Sequence, residues 1–165
     1  MFYAKYKHKA STPIEEIIYG LDSGYKAEDP IFVEGSFDCI RMRSFGLNCY
    51  STLSNNVSDK QAELIKKYFT GTIYVMHDND KGGIQMVDKF KELLYHSYPI
   101  RICKLPKSVK DPDGMNKKEA LISKAEAKLI VELEAKKTTK SVSIIQRTIL
   151  LSDFRQHLRD IYFEF

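Results

Sequence analysis

IFVEGSFD, residues 31–38, places a run of apolar residues directly before a glutamate and a glycine. A short apolar run that ends at turn-forming residues is typical of a buried strand. The same arrangement recurs at residues 73–80, where IYVM precedes HDND. Because the carboxyl ends of parallel strands lie at one edge of a sheet, acidic residues at two such ends predict a shared crevice in an α/β fold.

A third acidic pair lies in KDPDG, residues 110–114. Carboxylates gathered in one crevice repel each other unless a cation lies among them, and hard divalent cations prefer oxygen ligands. We therefore predict a divalent-metal site, with Mg²⁺ as the first choice and about two or three bound ions. Gly82 and Gly83 allow the second cluster to approach a metal or phosphate closely. The predicted site carboxylates are Glu34, Asp38, Asp78, Asp80, Asp111 and Asp113.

Each acidic cluster also has a simpler interpretation. Asp, Asn, Pro and Gly are common turn residues, so DND and DPDG are typical of turns in any protein. EGSFD is compatible with a helix N-terminus that carries favourable acidic residues. The order of the three clusters, with two of them at predicted strand ends, favours the metal site.

Apolar periodicity along the chain predicts strands that alternate with helices, and hence a parallel sheet flanked by helices. The predicted strands cover residues 31–34, 48–52, 72–77 and 100–105. A capping-box pattern at Ser58 and Gln61 starts a helix that Gly71 stops. The other predicted helices cover residues 13–20, 36–45, a segment from Gly82 towards Pro99, and a C-terminal extension at 117–136 and 142–163. Residues 22–30 are predicted to be a polar loop.

Composition limits the class of protein. With 165 residues, of which 43% are hydrophobic, the chain is long enough for one domain with a packed core, alone or with an appendage. Its formal net charge of +4 permits nucleic-acid binding but does not require it. No segment has the length and apolarity of a signal peptide or a membrane span, so no membrane partner is expected.

The cysteines and the N-terminus give weaker signals. Cys39, Cys49 and Cys103 form no CxxC pair, so we expect buried thiols in a reducing cytoplasm, with neither a zinc site nor a disulfide framework. Residues 1–13 interleave basic and aromatic side chains. This pattern is compatible with nucleic-acid contact through charge and stacking, but a strand or a frayed terminus is the favoured interpretation, because short basic termini are common.

The ordered motifs resemble those of a Toprim domain, the metal-binding α/β fold of bacterial-type primases, topoisomerases and some nucleases. The similarity is greatest to DnaG-type and phage primases. Their first motif, EG followed by two residues and Asp, is EGSFD here; their second is HDNDKGG and their third is KDPDG. The upstream IIYGLD and the segment LSNNVSDKQAELIKKYF also resemble primase sequences, so that the resemblance covers about residues 17–120.

The resemblance implies roles for individual residues. Glu34, Asp78 and Asp80 would be the central, catalytic metal ligands for Mg²⁺, or for Mn²⁺ in its place, and no zinc is expected. Glu34 would alternatively serve as a general acid or base, as in topoisomerase-type members. The remaining metal ligands would be Asp38, Asp111 and Asp113. Candidates for binding the nucleotide phosphates are Lys81, Gly83 and Lys110, although both lysines are equally compatible with solvated loop charges.

The resemblance also implies an organisation and partners. Residues 1–27 would be the remnant of an upstream primase subdomain, 28–116 the catalytic Toprim domain and 117–165 a helical extension. The expected partners are a single-stranded DNA template and ribonucleoside triphosphates, with a replicative helicase or a separate primase subunit. The expected location is the cytoplasm, that of the host if a phage encodes the chain.

Other functions remain open at this stage. The sequence has no zinc-binding module such as primases carry, and the chain is expected to be a fragment or one piece of a split primase. A stand-alone Toprim nuclease would use the same metal site to cut RNA or DNA. A non-enzymatic replication accessory module would instead bind its partner through the apolar face of the predicted helix at 142–163.

Overall fold

The computed structural model describes residues 13–21 and 27–130. Its helices are α1 (Ser36–Ser44), α2 (Asp59–Tyr68), α3 (Lys81–Leu94) and α4 (Lys117–Ala125). Its strands are β1 (Ala27–Glu28), β2 (Ile31–Val33), β3 (Cys49–Ser51), β4 (Phe69–Thr70), β5 (Ile73–Met76), β6 (Ile100–Cys103) and β7 (Lys128–Leu129). Single 3₁₀ turns lie at Ile14–Glu16 and Pro112–Gly114.

The main sheet has the strand order β3-β2-β5-β6-β7. The first four strands are parallel, and β7 joins the edge in the antiparallel direction. This arrangement confirms the predicted α/β fold with a largely parallel sheet. Strand β3, the next strand of this sheet along the chain, lies on one side of β2, and β5, the strand after it, lies on the other side of β2. The strand order therefore reverses between β2 and β5, the position at which open α/β sheets bind their ligands.

Helices cover both faces of the sheet, and the central strand β2 is accordingly apolar and buried along its whole length. Ile31 and Val33 pack in one core cluster with Cys39 and Met42 of α1 and with Ala120 of α4. Phe32 points to the opposite face, since successive side chains of a strand alternate. Its ring lies 5.2 Å from the rings of both Phe69 and Phe90, and Phe90 is buried in α3. Cys39, Cys49 and Cys103 are buried free thiols, as expected.

Local sequence signals set the ends of the helices. The predicted capping box is present: Ser58 Oγ accepts from the Gln61 N–H at 3.0 Å, and Gln61 Oε1 accepts from the Ser58 N–H at 3.1 Å. Gly46 follows α1 with φ of +85°, a conformation that glycine adopts without a steric penalty. Helices α1 and α2 therefore lie within the predicted ranges.

Two predictions near the N-terminus are wrong. Instead of a helix over 13–20, the chain makes one 3₁₀ turn and then extends, with the backbone of Tyr19 bridging to Ser51 in β3. Within the predicted loop at 22–30, Ala27–Glu28 forms β1, which pairs in parallel with β4.

Strand β4 itself replaces the last residues of the predicted helix before Gly71. Tertiary pairing decides these short segments, and two-residue strands have no periodicity to reveal them.

The prediction of a helix over 117–136 is also wrong at residues 126–129, and its part beyond residue 130 lies outside the described residues. Helix α4 ends at Ala125, and Lys128–Leu129 forms β7 beside β6. The Arg101 guanidinium donates to the Ala127 carbonyl at 2.8 Å and fixes the chain where it turns back to the sheet. The helical periodicity of this segment is thus overridden by pairing with an exposed sheet edge.

The chain divides into two compact units, residues 1–129 and 130–165. Predictions for residues 1–12, and for the helices beyond residue 130, lie outside the described residues. The predicted division at 27/28 and 116/117 stays a prediction. In the part of the chain that the structure describes, no helix has the length and apolarity needed to cross a membrane.

Gln61 supports a first testable prediction, because its buried amide holds the N-terminal segment against α2. Nε2 lies 3.0, 2.8 and 2.9 Å from the carbonyl oxygens of Ile14, Ile17 and Thr52. We expect Gln61→Ala to lower the free energy of unfolding by about 2–3 kcal/mol, since buried carbonyls lose their donor. Urea denaturation measures this change, with the exposed Gln85→Ala as the control. Equal midpoints for the two variants would contradict the assigned role.

Candidate metal centre

The acidic site begins where β2 and β5 end side by side. Glu34 follows β2, and Asp78 lies two residues beyond β5. The Asp78 N–H donates to Glu34 Oε1 at 3.3 Å, so the first and second acidic clusters are in contact. Both side chains are partly buried. The carboxyl ends of the two strands therefore bring these carboxylates together at the point where the strand order reverses.

Asp38 connects the first cluster with the third. Its Oδ2 accepts from the Gly35 N–H at 3.1 Å and closes the first turn of α1. Its Oδ1 accepts from the Asp113 N–H at 3.0 Å, across 75 positions of sequence. Asp38 is only 9% exposed, whereas Asp113 is exposed. Asp38 therefore holds the DPDG turn against the start of α1, and a further role as a metal ligand stays a prediction.

Asp80 caps helix α3 at the edge of the site. Its Oδ1 accepts from the Gly83 N–H at 3.1 Å. A Cβ on Gly82 would lie 3.2 Å from this Asp80 oxygen and 3.6 Å from Glu34 Oε2. Asp80 is thus beside Glu34 and remains exposed to solvent. The lack of a side chain at Gly82 leaves space between these two carboxylates.

Asn79, the middle residue of DND, has a structural role that the sequence did not reveal. Its amide nitrogen donates to the carbonyls of Pro106 and Val109 at 3.1 and 2.7 Å. Its backbone N–H donates to the Lys110 carbonyl at 2.8 Å. Asn79 therefore fixes the loop that carries the third acidic cluster. A polar residue between two predicted site aspartates indicates a supporting role, but only the fold identifies the carbonyl groups that it binds.

Ser51, the last residue of β3, is a second supporting residue that the sequence did not reveal. Its hydroxyl donates to the Glu34 carbonyl at 2.8 Å and accepts from the Leu53 N–H at 2.9 Å. Its backbone also bridges to Tyr19, within the IIYGLD segment. Leu53 has φ of +60°, an unusual conformation for a bulky side chain that the surrounding structure must hold in place. Ser51 thus couples the loop after β3 to the backbone of Glu34.

The acidic side chains surround an open cleft of about 330 Å³. Lys110 lines the cleft, whereas Lys81 is exposed at the start of α3 and is not among the lining residues. Gly83 is buried against the backbone of Asp78. Five of the six predicted carboxylates line the cleft: Glu34, Asp38, Asp78, Asp111 and Asp113.

Burial and mutual repulsion perturb the titration of these carboxylates. Burial is the main cause that raises the pKa of Asp78 to about 7, and the charges of Glu34, Asp38, Asp80 and Asp111 add to it. Burial also raises the pKa of Glu34 and Asp38, although the N–H donors of Asp78 and Asp113 partly offset that effect. The site therefore has more negative charge at neutral pH than its protein surroundings stabilise.

These pKa shifts predict how the stability of the metal-free chain depends on pH. The pKa of Asp78 is higher in the folded state than its ordinary value of 3.8, so the folded state binds more protons than the unfolded state. We therefore expect the Asp78 contribution to stability to fall as pH rises from about 4 to about 7, and then to level off. Saturating Mg²⁺ should reduce or reverse this slope, because the cation favours the ionised carboxylates. Thermal denaturation at a series of pH values, with EDTA or Mg²⁺, checks the expectation. An identical pH dependence in both buffers would contradict it.

The side chains present fit a hard divalent cation. Asp78 Oδ1 is buried and has no hydrogen-bond partner within the described part of the chain. An unpartnered carboxylate oxygen among other carboxylates is the environment that a cation stabilises. As the side chains stand, however, no three His, Cys, Asp or Glu residues among residues 13–21 and 27–130 converge closely enough for a complete cage. The carboxylates instead surround the cleft, so closing around a metal would require side-chain rotation.

The profile of the Toprim-like family matches residues 31–115, which is more than half of the chain. The chain belongs to the Toprim-like family. The matched segment contains all three acidic clusters, together with the loop and helix between the first and second. This confirms the family resemblance that the ordered motifs predicted.

Comparison with known proteins narrows the resemblance to primases. Over 136 residues the chain is 29% identical to the DNA primase of Clostridium acetobutylicum, a match that takes in 77% of this chain and 22% of that protein. The chain therefore corresponds to about a fifth of the length of that relative. Together with the family match, this similarity confirms the resemblance to the Toprim domain of DnaG-type primases.

Solved structures confirm the fold. The Aquifex aeolicus primase, comprising zinc-binding and RNA polymerase domains, superposes with a TM-score of 0.65 at 24% identity, covering 86% of this chain and 37% of that chain. A DnaG primase catalytic domain bound to single-stranded DNA gives a TM-score of 0.59 at 18% identity, covering 74% of this chain and 42% of that chain. The parallel sheet and its flanking helices thus have the fold of these two primase structures.

Proposed function

We propose that the chain is the catalytic Toprim part of a DnaG-type primase and synthesises short RNA primers on single-stranded DNA. The observation that carries this proposal is the acidic cleft at the reversal of strand order, where the buried Asp78 Oδ1 has no partner in the described residues. Its support is the similarity to a protein named DNA primase and to primase structures.

In this proposal Glu34, Asp78 and Asp80 hold Mg²⁺, with Mn²⁺ as a substitute. The bound metal would neutralise charge on the reacting phosphates and promote attack by a 3′-hydroxyl. One oxygen of each of two carboxylates is held by the backbone, since Asp80 accepts from the Gly83 N–H and Glu34 accepts from the Asp78 N–H. The other oxygens would rotate towards the metal. Asp38 orders the DPDG turn, which brings Asp111 and Asp113 to the same cleft.

Binding of the substrates follows from charge. Lys110 is the described lysine that lines the cleft, and we assign to it an electrostatic contact with a nucleotide phosphate. Single-stranded DNA and ribonucleoside triphosphates are the proposed substrates. A template-binding domain and a replicative helicase are the proposed partners, supplied by other parts of a longer protein or by separate chains.

The test is primer synthesis by the purified chain on single-stranded DNA with labelled ribonucleotides and Mg²⁺ or Mn²⁺. A parallel reaction contains labelled DNA or RNA without nucleotides. Asp80→Ala removes a proposed ligand, and Asp88→Ala, an exposed change further along α3, is the matched control. We expect labelled oligoribonucleotides from the wild type and from Asp88→Ala, and none from Asp80→Ala.

Three outcomes would contradict the proposal. Metal-dependent cleavage without primer synthesis would reassign the site to a Toprim nuclease. Equal primer synthesis by Asp80→Ala and the wild type would place the reaction elsewhere. If the isolated chain gives no product in either reaction, the wild type, Asp80→Ala and Asp88→Ala are assayed again with a template-binding primase domain added in trans. The absence of any product there too would overturn the proposal.

A further inference from the structure

An amide from the loop after β3 lies beside the carboxylates. A Cβ on Gly82 would be 2.8 Å from Asn55 Nδ2, 3.2 Å from Asp80 Oδ1 and 3.6 Å from Glu34 Oε2. Three polar side-chain groups from three separate segments therefore surround one glycine at the start of α3. Two of them are proposed metal ligands, and the third is a neutral hydrogen-bond donor.

The Asn55 amide takes no part in the hydrogen bonds among the described residues. Asn55 is half-buried, and within the described residues its side chain makes no hydrogen bond. Its neighbours are all engaged in fixing the loop: Ser51 binds the Leu53 N–H, Thr52 Oγ1 donates to the Ser54 carbonyl at 2.6 Å, and the Asn56 N–H donates to Ser54 Oγ at 3.0 Å. A hydrogen-bonded loop thus holds, at the edge of an anionic site, a donor that has no partner among the described residues.

From this geometry we infer that Asn55 is a substrate-positioning residue whose amide donates to a phosphate oxygen at the carboxylate site; the inference rests on the proposed function. A phosphate held by cations among Glu34 and Asp80 has further oxygens that need donors. A neutral amide supplies a donor without displacing a cation, whereas a lysine in the same place would compete with it. Gly82 leaves the space in which that phosphate oxygen and the amide meet.

Two sources of phosphate share this chemistry: the ribonucleoside triphosphate and the backbone of the nucleic-acid strand. The probes are therefore ATP with Mg²⁺ and a fluorescein-labelled single-stranded DNA with an annealed RNA primer. Equilibrium binding of each probe is measured for the 165-residue chain, or with the added primase domain if the isolated chain binds neither. We expect Asn55→Ala to weaken one of them about tenfold, which identifies the source. Asn56→Ala, an exposed change at the adjacent position, should leave both affinities unaltered.

A double-mutant cycle separates positioning from folding. Gly82→Ala introduces a Cβ that would lie 2.8 Å from Asn55 Nδ2 and 3.2 Å from Asp80 Oδ1. It should therefore weaken the same probe more in the wild type than in Asn55→Ala, where only its effect on the carboxylate remains. Asn55→Asp keeps an oxygen and removes the donor, so it should bind the phosphate probe at least as weakly as Asn55→Ala. Fully additive effects of Gly82→Ala and Asn55→Ala would overturn the inference, as would wild-type affinity of Asn55→Asp.

The result also separates this inference from the proposed function. If the wild type binds the probes and synthesises primers while Asn55→Ala does both equally well, only the role of Asn55 fails. If the wild type binds neither probe even with the added domain, both fail. Circular dichroism of each variant confirms that the compared proteins are folded.

Discussion

Asp78→Asn is expected to raise the unfolding temperature of the metal-free chain while abolishing primer synthesis. The ionised form of Asp78 destabilises the folded chain, because burial and four neighbouring carboxylates disfavour its charge. The same two effects raise the pKa of Asp78 to about 7. An asparagine of nearly equal size removes the charge and adds a donor for the surrounding oxygens. After allowance for solvent screening of this partly exposed group, we expect a gain of about 1–2 kcal/mol at neutral pH.

The same change should eliminate the reaction. A bound metal ion contributes several kcal/mol of charge stabilisation in the transition state, so removing Asp78, the proposed ligand that would hold it, should lower the rate by about a thousandfold or more. Thermal denaturation in EDTA and the primer assay measure the two effects on one preparation. Asp88→Asn, exposed on α3, is the matched control and should change neither quantity. A lower unfolding temperature for Asp78→Asn would contradict the account of the buried charge.

Gly83→Ala is expected to be the most destabilising conservative change near the site. A Cβ at this position would lie 2.1 Å from the Asp78 carbonyl oxygen and 2.5 Å from His77 Nδ1. Backbone atoms cannot move aside as a side chain does, so α3 would have to shift away from the end of β5. We expect a loss of about 3 kcal/mol in the free energy of unfolding, together with loss of activity.

Gly82→Ala is the matched control for Gly83→Ala, because it is the adjacent helical glycine. Its added Cβ would meet the end of the Asn55 side chain, which can rotate. Urea denaturation of both variants should therefore show a large loss for Gly83→Ala and a small change for Gly82→Ala. Similar stability of the two variants would contradict the tight contact between α3 and the strand end.

The sequence revealed those parts of the site that follow from strand ends. Glu34 and Asp78 each follow a buried apolar run, and parallel pairing then brings them together regardless of the rest of the chain. Asp38 and Asp80 were also predicted to belong to the site, but the structure shows that both oxygens of Asp38 and one oxygen of Asp80 bind backbone N–H groups. Sequence alone could not separate such helix-capping contacts from metal ligation.

The residues that sequence reasoning missed act through contacts distant in sequence. Asn79 binds carbonyls 27 and 30 positions away, and the Ser51 hydroxyl binds one 17 positions away. Asn55 lies in a segment without periodicity, and only its proximity to Gly82 associates it with the carboxylates. Strands β1, β4 and β7 have two residues each and were missed because pairing, rather than propensity, creates them.

The most direct test of the metal centre is a Mn²⁺ titration of the 165-residue chain, with free Mn²⁺ measured by electron paramagnetic resonance. Wild type and Asp88→Asn are predicted to deplete free Mn²⁺ with equal affinity, and Mg²⁺ should compete. Asp78→Asn should bind Mn²⁺ at least about tenfold more weakly. The reason is that the substitution removes the negative charge of the carboxylate whose buried oxygen, Asp78 Oδ1, has no hydrogen-bond partner among the described residues. Equal Mn²⁺ binding by Asp78→Asn and the wild type, or none by the wild type, would contradict a metal centre at these strand ends.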